Sequence, residues 1–362
     1  MSPYQSSSTI NEYDMLFGGT SDYSVGLLPG NSLPNPFLKW EQTASTNVGL
    51  DFGLFKDRIT GSFEWYDTRT TDLLIYKKLP SNSGYSNQLT NIGEVQNTGI
   101  EIQTNALVVK NKNFSWSMNL TYSHNKNRIL KIDGQTDANG NPLDQPNNGW
   151  FIGHSINAYN QYVFDGIFNT PEEITNSAQP SATVGSIRVK DLNGDGVITV
   201  DDKKVIDAAP KWIGSLSSTF NYKGFELFLD FYTVQGVIKN NSYLYDYNNG
   251  GSNYGRNNGI KVDYWTPTGL GQEAPLPSGS ADTYIKSLGL QDASYFRLRT
   301  ISLGYSFQKE KWLEKANISR LNVYVSATNY FTWTKYKSFG PETSPSSYPE
   351  AKILNIGLNM SF

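Results

Sequence analysis

The residues from Asp191 to Asp202 carry the most specific chemistry in this chain. They read D-L-N-G-D-G-V-I-T-V-D-D, which follows the twelve-position calcium loop of EF-hands. Asp191, Asn193 and Asp195 place side-chain oxygens at positions one, three and five. Gly196 permits the sharp turn at position six, and Val197 would offer its backbone carbonyl at position seven. Asp202 stands at position twelve, where EF-hands prefer a bidentate Glu; a shorter Asp reaches less far, so affinity would be lower. The expectation is one structural calcium held by Asp191, Asn193, Asp195, Val197 and Asp202. The bland alternative is an Asp/Asn/Gly turn without metal.

Other candidate residues are less specific. The loop aromatics Trp150, Tyr245, Tyr247, Tyr264, Trp265 and Tyr336 could stack on sugar rings, pack the loops or meet a partner. Asp51, Glu101, Glu226, Asp230, Arg297 and Arg299 fall on the polar phase of predicted strands. There they would touch cargo or solvate an interior. The two histidines, His124 and His154, have no Cys and no H-E-x-x-H arrangement around them, which argues against zinc. No G-x-S-x-G elbow, P-loop or G-x-G-x-x-G is present, and nothing makes a positive case for catalysis.

These residues sit among segments that alternate apolar and polar with period two, the mark of half-apolar strands. Nine such segments are expected, at about Gln42–Leu54, Arg58–Thr68, Asn97–Val108, Phe114–Ser123, Trp212–Tyr222, Phe225–Val234, Tyr295–Ser306, Leu321–Phe331 and Ile353–Phe362. In the seventh the apolar phase slips from Phe296 and Leu298 to Ile301, Leu303 and Tyr305, which predicts a β-bulge near Arg299–Thr300. Lys309–Ala316 reads as a short amphipathic helix. Short links follow odd-numbered strands and long loops follow even-numbered ones, the longest at about 126–210. This beat belongs to transmembrane β-barrels, with short periplasmic turns and long extracellular loops. An odd number of strands would leave an open edge in lipid at several kcal/mol per unpaired group. The expected fold is therefore all-β, an antiparallel transmembrane barrel segment belonging to a larger barrel.

Bulk composition agrees. Among 362 residues are 23 Tyr, 18 Phe and 8 Trp, and 17% of residues are charged. Aromatics at this level suit membrane-interface girdles or carbohydrate surfaces. A net charge of −3 gives no footprint for nucleic acid. The absence of Cys excludes disulfides and thiolate sites. No run of 18 apolar residues exists, which says nothing against barrel strands. The first 30 residues lack a basic n-region and an apolar h-region. Either the mature protein begins here or the chain is a piece of something longer.

Several motifs, in order, resemble one family. They are P-N-P-F-L-K-W-E-Q-T from Pro34, continuing T-N-V-G-L-D-F-G-L-F to Phe55, and N-I-G-E-V-Q-N-T-G-I-E-I from Asn91. F-D-G-I-F from Phe164 and the loop at Asp191 follow. Y-F-R-L-R-T-I-S-L-G-Y-S-F from Tyr295 and N-V-Y-V-S-A-T-N-Y-F-T-W-T-K-Y from Asn322 complete the set. Over essentially its whole length the chain resembles the C-terminal part of SusC/RagA-type TonB-dependent outer-membrane transporters of Bacteroidetes. The resemblance implies a 22-stranded barrel with an N-terminal plug, energy from the TonB complex, a SusD-like surface lipoprotein as lid, and uptake of oligosaccharides or peptides. It implies that the final Phe362 is read by the barrel-assembly machinery. The signal peptide, plug and first half of the barrel have no counterpart in these 362 residues. A calcium-stabilised, surface-attached glycan-binding protein without transport is the alternative reading, and an extracellular glycosidase a distant third.

Overall fold

Period-two alternation becomes nine long strands: β1 (Gln42–Leu54), β2 (Ile59–Lys78), β3 (Asn87–Lys110), β4 (Phe114–Lys131), β5 (Trp212–Tyr222), β6 (Phe225–Gln235), β7 (Tyr295–Gln308), β8 (Arg320–Thr334) and β9 (Ile353–Ser361). The computed structural model describes residues 13–15, 27–29, 32–132, 135–246, 263–269, 274–276, 282–308, 311–315, 317–345 and 347–362. Each long strand is hydrogen-bonded to its neighbour in the chain, in the sheet order β9-β8-β7-β6-β5-β4-β3-β2-β1. From β4 to β9 every pairing is antiparallel.

The chain divides into two compact units. The first comprises residues 1–47, 66–98 and 126–156. It corrects three expected boundaries, because β2, β3 and β4 all run well past the end of their apolar alternation. Polar cross-strand pairs carry the extension. Arg69 forms an ion pair with Glu94, the Gln96 amide donates to both oxygens of Asp67 at 2.9 and 3.0 Å, and Ser45 meets Thr68 at 2.9 Å. The Asn91 amide donates to the carbonyls of Lys39 and Asp72. The expected long loop after β2 shrinks to residues 79–86, and the 126–210 loop loses Lys126–Lys131 to β4.

The second unit comprises residues 48–65, 99–125 and 157–362. Its strands leave their apolar face uncovered: Val48, Leu50, Leu120, Leu303, Val325 and Leu354 are exposed, and Ile356 is 81% accessible. An uncovered apolar face of this extent marks a surface that meets something other than water. Aromatic rings border it in two rows. Near the short turns, Phe225 meets Tyr305 at 4.6 Å with the rings tilted, followed by Phe307 and Trp312. Toward the other strand ends, Tyr122 meets Trp212 at 5.7 Å, and Phe296 lies between Phe231 and Trp333 at 5.5 and 5.6 Å.

Turn chemistry sets the register. Lys223 (φ 45°) and Gly224 (φ 90°) form the two-residue turn between β5 and β6, in the left-handed conformation that matches strand twist. The predicted bulge is present: Asp230 pairs with Thr300 but Phe231 with Leu298, so Arg299 is the extra residue. The predicted helix is a single turn, Lys311–Lys315, with Leu313 buried and Trp312 exposed. The loop segments of this unit have their own order. Ala158–Tyr162 pairs with Lys203–Asp207, Phe164–Ile167 with Ile187–Val189, and Ile238–Asn240 with Leu290–Asp292. Ile187, Val189, Leu244, Ile285 and Leu288 form a small core beneath them.

Candidate functional site

On the polar face of the sheet, where β6 and β7 meet the loop between β8 and β9, charged side chains converge. Arg297 is the centre. Its side chain is 5% exposed, and all three nitrogens are engaged: Nε donates to Thr332 Oγ1 at 2.9 Å, one terminal nitrogen to Glu342 at 2.6 Å and the other to Glu350 at 3.3 Å. The Tyr295 hydroxyl also donates to Glu342, and Lys239 donates to the Glu342 carbonyl at 2.9 Å. Burial raises Glu342, but the Tyr295 and Arg297 hydrogen bonds and the Arg297 charge outweigh it and hold the carboxyl below its ordinary range. Burial pushes the Lys239 ammonium down. The network pins the 335–352 loop inward against the polar face. Asn241, fully buried, reinforces it by donating to the Lys337 carbonyl at 2.6 Å.

Arg299, two residues on, is placed differently. It donates through Nε to Asp230 at 2.6 Å, its plane lies 5.3 Å over the Tyr232 ring, and its side chain is 49% exposed. Asp230 is buried and also accepts from Ser217 at 3.0 Å. The two arginines named from sequence thus share a face but not a role. Asp51, Glu101 and Glu226 are exposed.

The 191–202 loop adopts the path its sequence suggests. Gly194 (φ 73°) and Gly196 (φ 81°) take the left-handed turns. Asp191 accepts the amides of Gly194 and Gly196, Asn193 that of Asp195, and Asp195 that of Val197. Asp202, fully buried, accepts from Leu192 at 2.8 Å and Thr199 at 2.7 Å. The Thr199 amide, aided by the other amides, holds the Asp202 carboxyl below the usual range against its burial. Among the described residues no group of three or more His, Asp or Glu side chains could hold a metal by itself. The EF-hand donor set here depends on the Asn193 amide oxygen and the Val197 carbonyl as well. The hard oxygen donors and the turn at Gly196 fit calcium.

The loop aromatics are mostly packed. Trp265 is buried and its indole donates to Asn169 at 2.9 Å. Tyr336 is buried beside Tyr295, with its phenol pushed up to about 12 by burial. Tyr264 bridges to Ala274, and burial raises its phenol. Tyr245 accepts from Asn240, and Trp150 pairs through its backbone with Gln145. Tyr247 lies outside the described residues. His124 meets the Lys211 carbonyl and His154 accepts the Ile129 amide through its own carbonyl. Sequence reasoning missed Glu342, Glu350 and Lys239, which carry no motif.

Residues 6–330 match the family described as TonB dependent receptor-like, beta-barrel. TonB-dependent receptor P3 of Formosa agariphila is 30% identical over 387 residues, covering 100% of this chain and 38% of that protein. TonB-dependent receptor SusC of Bacteroides thetaiotaomicron is 30% identical, covering 97% and 35%. The structure of the RagAB peptide transporter superposes with a TM-score of 0.73 at 25% identity, covering 95% of this chain and 38% of that one. The chain spans less than two fifths of the length of these relatives. An uncovered apolar face with aromatic borders, opposite a polar face carrying ion pairs, is what this family requires. The chain belongs to the TonB-dependent receptor β-barrel family, in its SusC/RagA branch, and is a protein of the outer membrane.

Proposed function

We propose that this chain contributes nine strands to the barrel of a nutrient importer, driven by the TonB complex and lidded by a SusD-like surface lipoprotein. Its cargo would be oligosaccharide or peptide. The observation that carries the reading is the two-sided sheet of the second unit. Its apolar face has the aromatic rims of a lipid-contacting band, and its polar face bears Arg297, Arg299 and Asp230 where solute would pass. Kinship with SusC and with the RagAB peptide transporter supports both the lid and the cargo classes.

Gene deletion with uptake of labelled peptides and oligosaccharides tests this. Loss of uptake on deletion, and equally in cells lacking TonB, is the expected outcome. Undiminished uptake together with lost glycan binding at the cell surface would favour the calcium-stabilised binding protein instead.

We also infer one structural calcium at Asp191, Asn193, Asp195, Val197 and Asp202, stiffening the long loop outside the cell. Support comes from the positive-φ turns at Gly194 and Gly196 and the inward-turned carboxylate of Asp191. Calorimetry of the chelator-treated protein should register one calcium at millimolar levels or below. No heat of binding under those conditions would sink the assignment.

A further inference from the structure

Two arginines stand two residues apart on one polar face, and only Arg299 has terminal nitrogens without a partner among the described residues. Arg297 spends its fork on Thr332, Glu342 and Glu350. Arg299 is held by Nε alone, and its two terminal nitrogens have no partner among the described residues. We propose that Arg299 is an anion-recognition residue, taking a carboxylate or sulfate group of the imported molecule on its free guanidinium edge. The proposal rests on the import reading given above.

The site is built rather than incidental. A bulge supplies it: Arg299 is the residue that β7 carries in excess of β6, so its side chain is turned onto the same face as Thr300. Opposite it, Leu298 and Thr300 pair with Phe331 and Thr328, which leaves Asn329 (φ 62°) and Tyr330 outside the ladder. Buried Asp230, itself fixed by Ser217, locks the guanidinium at Nε, and the Tyr232 ring supports its plane. A guanidinium fixed in this way has lost the rotamer freedom that binding would otherwise remove. Its remaining edge offers paired N–H donors with the spacing of a planar or tetrahedral oxyanion. Asp230 cancels the net charge of the pair. Recognition therefore rests on directed hydrogen bonds, which favour carboxylate or sulfate over chloride. The same chemistry occurs in an acidic sugar and at a peptide C-terminus, and the test must separate these sources.

Phenylglyoxal labelling of the full-length, detergent-solubilised protein, read by mass spectrometry at each arginine, provides that test. Arg299 should react at least tenfold faster than Arg297. Glucose 6-sulfate or glucuronate should slow its labelling at least threefold at constant ionic strength if acidic sugars are the source. Acetyl-alanine should do so if peptide termini are. Glucose and acetyl-alanine amide should have no effect. Asp230→Ala, which removes the acceptor that fixes Nε, should leave Arg299 reactive and weaken the protection. Equal, slow labelling of both arginines would overturn the proposal, since the fork would then be engaged elsewhere in the protein. Fast labelling that no anion slows more than its neutral analogue would overturn it too, as would protection unchanged in Asp230→Ala. Labelling reads the Arg299 fork alone, so its result is separable from an uptake experiment that fails.

Discussion

The 191–202 and 335–352 loops are both polar, both rich in Asp, Glu, Ser or Gly, and both ordered, yet by opposite means. In the first, the carboxylate bonds stay within ten positions, Asn193 giving Asp195 its side-chain amide and backbone amides supplying the others, so the segment is largely a self-contained knot of turns. In the second, order arrives from outside. Arg297 reaches Glu342 and Glu350 across 45 and 53 residues, Asn241 reaches Lys337 across 96, and Lys239 reaches Glu342 across 103. The first loop is a property of its own residues, and the second is a property of the sheet it lies on.

The largest expected effect comes from removing the remote anchor. Arg297→Ala leaves two partly buried carboxylates unpaired, which should cost about 2–4 kcal/mol after allowance for their exposure. Amide exchange across 335–352 should accelerate by roughly thirtyfold or more, with 191–202 unchanged. Acceleration in both loops would erase the distinction drawn above.

A smaller effect sharpens it from the other side. Gly196→Ala forces a Cβ into the left-handed region, at about 1–2 kcal/mol. Proteolysis should then enter 191–202 and spare 335–352.

The mildest test is pH, because neutral conditions lie far from either transition. Asp202 and Glu342 are both held below their ordinary values in the folded protein. Each therefore stabilises fully above the unfolded carboxylate range, about pH 4, and loses that contribution as pH falls through its lowered folded value. Exchange protection, corrected for intrinsic rates, should stay flat from pH 7 to about 5 and fall below about 4 in both loops. Loosening of either loop on raising the pH from 5 to 7 would contradict the sign.

The same contrast explains what could be read from residues alone. Alternation located nine strands, and a one-residue phase slip located the bulge at Arg299, because both signals are local. The added lengths of β2, β3 and β4 were illegible: Arg69–Glu94 and Asp67–Gln96 hold strands together without any apolar period. The 191–202 turns were legible for the reason that they are self-contained. Trp265 could not be told from an exposed aromatic, since its burial is settled by Asn169, 96 residues away. Nor could Arg297 be told from Arg299. Their difference depends on Glu342, Glu350 and the extra residue of a bulge.

The two aromatic rows have a consequence for the lipid itself. On β7, Phe296 and Phe307 of the two rows stand eleven positions apart, ten once the bulge residue Arg299 is set aside. At about 3.3 Å per residue this is ~33 Å of strand. A strand tilt of about 40° reduces it to ~25 Å along the membrane normal. That is a few ångströms short of an average hydrocarbon layer of about 30 Å. A thick bilayer would have to pinch inward around these strands, at a fraction of a kcal/mol for each ångström of mismatch. A membrane slightly thinner than average should therefore suit it best, and the spacing of rings on β7 acts as a gauge that sorts the protein toward such membranes.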